Sequence, residues 1–523
     1  IGGVTLLYGI TGSGKTVVYL RLIDEMLDKG KNIIVMVPEI ALTPQTLNLF
    51  MSRYGREVAV FHSALSAGQR LDEWKRVRNE NVRIVVGTRS AVFAPLENLG
   101  LIIIDEEQEH TYKSEQTPRY SAKDVARFRC AYHKALLVFS SATPSIETFA
   151  KAQAGQYTIN RLSKRYSSSV LPEVRIVDML TEALSQSSNF SEELRSRLQY
   201  NLENGKQSIL LINRRGYNTF AECKACGHVL TCPSCSISMT YHHANGRLMC
   251  HYCGYSEPFT DVCPECGSYD VRYSGTGTQK IEDELAALFP KARILRMDAD
   301  STMGRYSHEN KLKDFADGKY DILLGTQMVA KGLDFENVTL VGVINADQQL
   351  NNDDFRSQER TFDLLTQVVG RAGRGQYKGT AVIQTCNPEN DVIQIAARQD
   401  YDAFFKDELK TRKMLIYPPY CDICLIGFIG ENEPKVRVAS QKYTDRLKEM
   451  LSGEYKDLKI IALGPMTARV SKISNKFRYR LILKCKNTKR FRALMNELLK
   501  YTGTDRAYND VSVYIDINPE NII

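Results

Sequence analysis

"VTLLYGITGSGKT", residues 4–16, decides the first half of the fold. The apolar run 4–9 reads as a buried strand, and the residues from Gly9 to Thr16 fit the phosphate-loop pattern G-x-x-x-x-G-K-[ST] without departure. In that loop Gly9, Ile10, Thr11, Gly12, Ser13 and Gly14 present backbone N–H groups to phosphate oxygens, and the following helix turns its positive end toward the anion. Lys15 is placed to reach the β- and γ-phosphates of ATP, and Thr16 to ligate Mg²⁺. Leu20, Ile23 and Leu27 recur at helical spacing, and Gly30 is placed to end that helix.

Outward from the loop, residues 32–38, 83–88, 101–106 and 135–143 are near-continuous apolar runs, as expected of strands buried on both faces of a parallel sheet. A second series follows at 207–213, 292–298, 320–327, 338–347 and 379–385. The segment 163–190 is Ser-rich and reads as a connection. The expected fold class is therefore α/β, with two parallel-sheet lobes. Four CxxC units between 223 and 266 mark a double zinc-ribbon insertion in the second lobe, and a C-terminal α+β domain is expected to follow. The expected boundaries are 1–165 for lobe 1, 166–221 for the linker and start of lobe 2, 222–270 for the insertion, 271–400 for the rest of lobe 2, and 401–523 for the last domain.

Asp105 and Glu106 end the strand "LIIIDE". A carboxylate there can face a bound Mg²⁺, and the next one can orient an attacking water. "SSATPS" puts Ser141 and Thr143 at another strand end, where small hydroxyls can couple the phosphate side to a second lobe. In "QVVGRAGR", Gln367, Arg371 and Arg374 suit neutralisation of phosphoryl-transfer charge, the arginines sharing a face if the segment is helical. Thr326, Gln327, Lys331 and Asp334 follow a strand and are candidates to touch nucleic-acid backbone and the ATP site together.

Eight of the thirteen cysteines form four CxxC units: Cys223/Cys226, Cys232/Cys235, Cys250/Cys253 and Cys263/Cys266. Two such knuckles supply the four thiolates of a tetrahedral Zn²⁺, so eight make two closed sites. Only five residues separate Cys226 from Cys232, whereas fourteen separate Cys235 from Cys250. The latter is close to the roughly 15–20 of a common Cys₄ ribbon. The spacing predicts nesting, with Cys232, Cys235, Cys250 and Cys253 inside and Cys223, Cys226, Cys263 and Cys266 outside. His242, His243 and His251 are unneeded as ligands, and Cys421/Cys424 reads as a strand pair rather than a third site.

The chain has 523 residues, 43 % hydrophobic and 25 % charged, with a formal net charge of +8. These values suit a large globular protein and a polyanionic partner. No run of eighteen apolar residues supports a membrane span, and clustered CxxC units in so long a chain indicate metal binding in a reducing compartment rather than a disulfide scaffold. Ile1-Gly2-Gly3 shows neither an initiator Met nor a signal-peptide pattern, and the chain reads as a fragment lacking upstream residues.

Taken in order, "GITGSGKT", "VPEIALTPQ" (37–45), "VVGTRSAVFAP" (85–95), "DEEQ" (105–108), "SSATPS", "GTQMVAKGLDF" (325–335) and "QVVGRAGR" resemble the motifs of a superfamily 2 helicase. With "INRRGY" (212–217), four CxxC units, "GTGTQKIEDEL" (275–285), "DFRSQERTFDLLTQVVGRAGR" (354–374) and "YPPY" (417–420), the whole chain resembles the PriA family of primosomal helicases (replication protein N′). The resemblance implies an ATP-dependent 3′→5′ DNA helicase of the bacterial cytoplasm and nucleoid. Such a helicase is monomeric and membrane-free, and acts at stalled or abandoned forks to start primosome assembly. It implies ATP, Mg²⁺ and two Zn²⁺ as cofactors. The implied partners are single-stranded and forked DNA, primosome and helicase-loading proteins, and single-stranded DNA-binding protein. By the same resemblance Lys15 and Thr16 hold phosphate and Mg²⁺, Asp105 binds Mg²⁺ through water, Glu106 activates water, and Arg371 and Arg374 are arginine fingers.

This chain departs from the family at Gln108, where His is frequent. It also departs in the 114–124 loop, which keeps Arg119 and Tyr120 but few other aromatics, and in lacking the family's N-terminal DNA-binding domains. Thr88, Arg89 and Lys331 are candidate strand contacts. Two other readings stay open: an RNA helicase of the same superfamily, and a non-translocating ATP-binding zinc scaffold for helicase loading.

Overall fold

Seven strands make the first sheet: β1 (Gly3–Gly9), β2 (Asn32–Met36), β3 (Val58–Phe61), β4 (Ile84–Gly87), β5 (Leu99–Ile104), β6 (Leu136–Ser141) and β7 (Thr158–Leu162). The computed structural model describes residues 2–10, 12–39, 42, 44–63, 65–79, 82–164, 172–183, 188–212, 220–223, 225–226, 228–235, 237–242, 246–250, 253–274, 278–297, 307–326, 335–350, 354–373 and 379–522. The sheet order is β3-β4-β2-β5-β6-β1-β7, every pairing parallel. Its register aligns Gly87, Met36 and Ile104, and Tyr8 with Ser141, so the carboxyl ends of the central strands share one edge. Ligands of open α/β sheets bind at that edge. Leu7, Ile33, Val35, Ile103 and Val138 pack on one face, and Leu6, Ile34, Met36, Ile102, Ile104 and Leu137 on the other. Burial on both faces is why these runs are apolar throughout.

The chain continues through β8 (Glu173–Asp178) and β9 (Gln207–Leu211). It then forms β10 (Phe220–Cys223), β11 (Thr240–His242), β12 (Arg247–Met249), β13 (Ser256–Pro258) and β14 (Val271–Ser274). It returns as β15 (Ile294–Met297), β16 (Ile322–Gly325), β17 (Val338–Val343) and β18 (Thr380–Thr385). The second parallel sheet has the order β15-β16-β9-β17-β18-β8. β8 lies inside the stretch read from sequence as a connection, and it pairs with β18 as an edge strand. Like β7, it has no fully buried residue. Without a second covered face, neither strand shows the apolar run that marks the others.

Two compact units result. One comprises Ile1–Asn213, Glu282–Asn352 and Arg356–Leu409; the other comprises Arg214–Ile281, Asp353–Phe355 and Lys410–Ile523. Within the first unit, the helix Ile146–Gln153 of lobe 1 joins the lobes. Glu359 accepts a hydrogen bond from Ile146 N–H at 2.9 Å, and Arg356 pairs with Glu147 at 3.0 Å. Phe149 packs edge-on to Phe405 at 4.7 Å, and Tyr401 donates to the Pro144 carbonyl.

In the second unit the antiparallel cysteine-rich sheet has the order β13-β12-β11-β10-β14. The last domain is an antiparallel sheet of β19 (Asp422–Gly430), β20 (Ile461–Ile473), β21 (Lys476–Cys485) and β22 (Val511–Ile517), ordered β20-β21-β19-β22. The helices Glu433–Ser452 and Lys489–Thr504 share a core with one face of this sheet. Asn432 and Thr488 cap their first turns. The insertion interrupts lobe 2 in sequence, yet it falls in the same compact unit as the C-terminal domain.

A Cβ at Gly87 would lie 2.2 Å from the Phe61 carbonyl oxygen and 2.9 Å from Ala91 Cβ. Gly87→Ala is therefore expected to destabilise the first unit by about 1–3 kcal/mol, as overpacking does. Denaturant unfolding of the variant beside the wild type checks this.

Candidate functional site: an ATP cleft and two cysteine clusters

Gly14 caps the helix Lys15–Asp28 at φ 82° and Gly12 sits at φ 79°, left-handed angles that favour glycine. Lys15 Nζ donates to the Gly9 carbonyl at 2.9 Å. A Cβ at Gly9 would lie 2.5 Å from Ser13 Oγ and 3.0 Å from Leu162 Cβ, so glycine gives the loop room to fold over the strand end. Thr11 lies outside the described residues. Thr16 is exposed at the first turn.

Asp105 follows β5 directly. Its Oδ1 accepts from the Tyr19 hydroxyl at 2.6 Å and from the Glu106 N–H at 3.0 Å. Burial, reinforced by the neighbouring Glu106 charge and opposed by Lys15, pushes the Asp105 carboxyl up to about 6. It is thus mostly ionised at neutral pH. Glu106 has φ 45°, an unusual angle for a residue with a side chain and one that concentrates at functional sites. Its Oε2 accepts from Gln108 Nε2 at 2.8 Å, and Gln108 Oε1 accepts from the Ser141 hydroxyl at 2.6 Å. Ser141 Oγ in turn accepts from Thr143 N–H at 2.9 Å. An amide offers donor and acceptor together, as neutral imidazole does. The position that departs from the family pattern therefore still links the two motifs within lobe 1.

Two residues of this site escaped sequence reasoning. Tyr19 is 3 % exposed and also bonds Ser140. Its signal was its place four residues after Lys15, on one helix face, since a buried hydroxyl needs a partner. Glu107 is fully buried and accepts from Ser145 N–H at 2.7 Å, Thr148 Oγ1 at 3.0 Å and Lys123 Nζ at 3.0 Å. Nothing in "DEEQ" separates it from Glu106.

From lobe 2, Gln367 lies in the helix Ser357–Val369. The condition for a shared helical face with Arg374 is not met at Arg371: the helix ends at Val369, and Arg371 lies in a turn closed by its N–H on the Val368 carbonyl. Gly370 precedes it with right-handed backbone angles, and Gly373, two residues on, takes φ 69°. Arg374 lies outside the described residues, as do Gln327, Lys331 and Asp334; Thr326 is half-buried at the end of β16. Burial lowers the Arg371 guanidinium to about 10 and the Glu106 charge opposes that shift, so the group stays cationic at neutral pH. Among the described residues, Ser13 Oγ, Thr143 Oγ1 and Gln367 Oε1 are buried without a hydrogen-bond partner. Orphaned polar atoms in the motifs of both lobes, together with Lys15, fit a polyphosphate with its Mg²⁺. The expected strand contacts fare differently. Thr88 is buried, and Arg89 donates to the Lys113 and Thr111 carbonyls while stacking over Tyr120.

In the second unit the eight sulfurs gather as two groups, Cys223/Cys226/Cys263/Cys266 and Cys232/Cys235/Cys250/Cys253. This is the nested arrangement. The β11–β12 hairpin brings the inner knuckles together, and the β10–β14 pairing, with Cys223 opposite Val271, brings the outer ones. Each knuckle closes alike: the first cysteine's N–H bonds the carbonyl five residues on, at His228, Ile237, Tyr255 and Ser268. The Cys223–Cys266, Cys226–Cys263 and Cys232–Cys253 sulfurs lie 3.6, 3.7 and 3.6 Å apart. A ZnS₄ tetrahedron with bonds of about 2.3 Å has an edge of about 3.8 Å, whereas a disulfide needs about 2.05 Å. The two Cys₄ clusters fit two zinc ions. His243 and His251 lie outside the described residues, and of His242 only the backbone is described. Cys424 lies in the C-terminal core and Cys421 bonds the Ile416 carbonyl, so among the described residues this pair forms no third cluster.

A phosphate loop, an acidic strand end and a second parallel lobe carrying Gln367 and Arg371 define the core of a superfamily 2 helicase. The profile described as DEAD/DEAH box helicase matches residues 2–152, and that described as helicase conserved C-terminal domain matches 275–376. Two further profiles, PriA DNA helicase Cys-rich region domain and primosomal protein N C-terminal domain, match 232–258 and 413–520. The replication restart protein PriA of Bacillus subtilis is 47 % identical over 99 % of this chain and 64 % of its own length. That of Synechocystis is 44 % identical over 92 % and 58 %, and that of Treponema pallidum 39 % identical over 99 % and 77 %. The chain belongs to the PriA family, and it spans less than two thirds of the Bacillus and Synechocystis proteins. A structure of RecG bound to a three-way DNA junction aligns at 18 % identity over 78 % of this chain and 44 % of its own, with TM-score 0.45.

Nesting sets the metal count expected of variants. Cys223→Ser and Cys263→Ser should each leave one zinc per chain, and so should the double variant, because both lie in one cluster. Cys223→Ser with Cys232→Ser should leave none, as measured by metal analysis after gel filtration. Tyr19→Phe removes a hydrogen bond to a buried carboxylate, and is expected to cost about 1.5–3 kcal/mol of stability in denaturant unfolding.

Proposed function

We propose that the chain is the motor of a PriA-type, ATP-dependent 3′→5′ DNA helicase that serves replication restart and primosome assembly. The observation that carries this reading is the Glu106–Gln108–Ser141 chain of hydrogen bonds beside Lys15 and Asp105. It ties a water-orienting carboxylate to the motif from which the helix Ile146–Gln153 reaches lobe 2. Lys15, Ser13 and the loop N–H groups hold the phosphates of ATP; Thr16 and Asp105 hold Mg²⁺, which supplies Lewis-acid neutralisation of developing phosphate charge. Tyr19 fixes the Asp105 carboxylate in place. Glu106 receives the proton of the attacking water, and Arg371 with Arg374 neutralises charge from the lobe 2 side. Gln367 senses the phosphates through its free amide oxygen. Glu359, in the first turn of the helix that leads to Arg371, and Arg356 at its N-cap hold the first turn of Ile146–Gln153, so a change at the phosphates is passed to the interlobe contact.

Single-stranded and forked DNA are the proposed substrates, through backbone contacts that are sequence-tolerant and salt-sensitive. Arg89 acts there by bracing the 111–113 backbone rather than by a free guanidinium. Helicase-loading proteins and single-stranded DNA-binding protein are the proposed partners of a monomer in the bacterial cytoplasm and nucleoid. Among the described residues no helix is long and apolar enough to cross a membrane.

ATP hydrolysis measured with no nucleic acid, single-stranded DNA, forked DNA and RNA tests this. Stimulation by DNA is expected, abolished in Lys15→Ala. Arg371→Ala should lose about 10³-fold or more in turnover while retaining nucleotide binding. Preferential stimulation by RNA favours an RNA helicase, and ATP binding without hydrolysis favours a loading scaffold.

A further inference from the structure

The two cysteine clusters are unlike in their surroundings. In the outer one Cys226 and Cys266 are exposed; in the inner one Cys232, Cys235 and Cys250 are buried and Cys253 is half-buried. Part of the cover over the inner cluster comes from far along the chain. β20 and β21 form a hairpin whose last pair, Ile473 opposite Lys476, leaves Ser474 and Asn475 as a two-residue turn. Their φ angles, 48° and 60°, are those of a type I′ turn. The turn sits on the inner knuckle: Ser474 N–H donates to Cys235 Sγ at 3.2 Å, and Asn475 N–H to the Ser234 carbonyl at 2.8 Å. Ile473 packs against the apolar cluster that contains Cys232, Cys235 and Cys250. Both contacts lie within one compact unit. A backbone N–H aimed at a thiolate sulfur stabilises its negative charge, and such outer partners of metal ligands typically govern metal retention.

The geometry points to a division of labour between the two metals: the β20–β21 turn clamps the inner zinc, while the outer zinc exchanges with solution through its exposed thiolates. The C-terminal domain is then a retention element of the inner site, with Ser474 and Ile473 as positioning residues. This rests on the reading of both clusters as zinc sites.

Zinc-loaded 523-residue chain, challenged with excess chelating indicator, is expected to release one zinc fast and one slowly. Alkylation followed by mass spectrometry should mark Cys226 and Cys266 in the fast phase. Ser474→Pro removes the N–H and cannot take a positive φ, and should speed the slow phase about ten- to hundredfold. Ser474→Gly keeps the N–H and the angle, and should leave that phase at the wild-type rate. Ile473→Ser, which keeps the turn, should speed it as well and decides the matter should the proline variant not fold. Release of both metals in one phase by the wild type overturns the inference, as does a slow phase unchanged in both Ser474→Pro and Ile473→Ser. Binding of fewer than two zinc ions by the wild type overturns the zinc reading instead.

Discussion

The carboxylate of Glu107 is the tie on which the two parallel-sheet lobes of the first unit depend. It is fully buried, with one cation, Lys123, and the Ser145 N–H, Ser145 hydroxyl and Thr148 hydroxyl as donors. Breaking a buried, fully satisfied charge of this kind typically costs about 3–5 kcal/mol. Its position explains that investment. Glu107 lies between Glu106 and Gln108 on the chain, and it grips the first turn of the helix that lobe 2 also grips through Glu359 and Arg356. A side chain with no part in the chemistry thus fixes the frame in which the acidic motif, the small-hydroxyl motif and the second lobe meet.

Much of this was legible beforehand, because the same physics writes the sequence and the structure. Strands covered on both faces must be apolar throughout, so β1, β2, β4, β5 and β6 announced themselves, whereas the half-exposed edge strands β7 and β8 did not; β3, apolar and buried throughout, is only four residues long and carried too short a run. The phosphate loop was legible because only glycine tolerates its turns. The cysteine pairing was legible from spacing alone, since knuckles too close in sequence cannot face one metal. What sequence could not supply was direction. Of four neighbours of similar character, Asp105 meets Tyr19, Glu106 and Gln108 meet each other, and Glu107 turns into the core against Ser145 and Thr148. The turn at Arg371 could not be read from spacing, because two arginines three apart share a face only while a helix lasts, and this helix stops at Val369.

The two departures from the family pattern that fall within the described residues have different consequences. Gln108 preserves a donor–acceptor bridge. In the 114–124 loop, Tyr120 is enlisted with Phe93, 4.9 Å away, and with Arg89 to hold the loop against lobe 1. Sparse aromatics there leave Tyr120 with a structural duty.

Nesting of the cysteine clusters also bears on chain entropy. Cys232 and Cys253 are 21 residues apart, and Cys223 and Cys266 are 43. The outer site therefore closes a loop about twice as long, at an extra cost of about 0.6 kcal/mol if it forms alone. Once the inner knuckles have met, most of that loop is already drawn in, and the remaining closure is short. Assembly from the inside outward is thus the easier route: the first metal to arrive lowers the entropic barrier for the second.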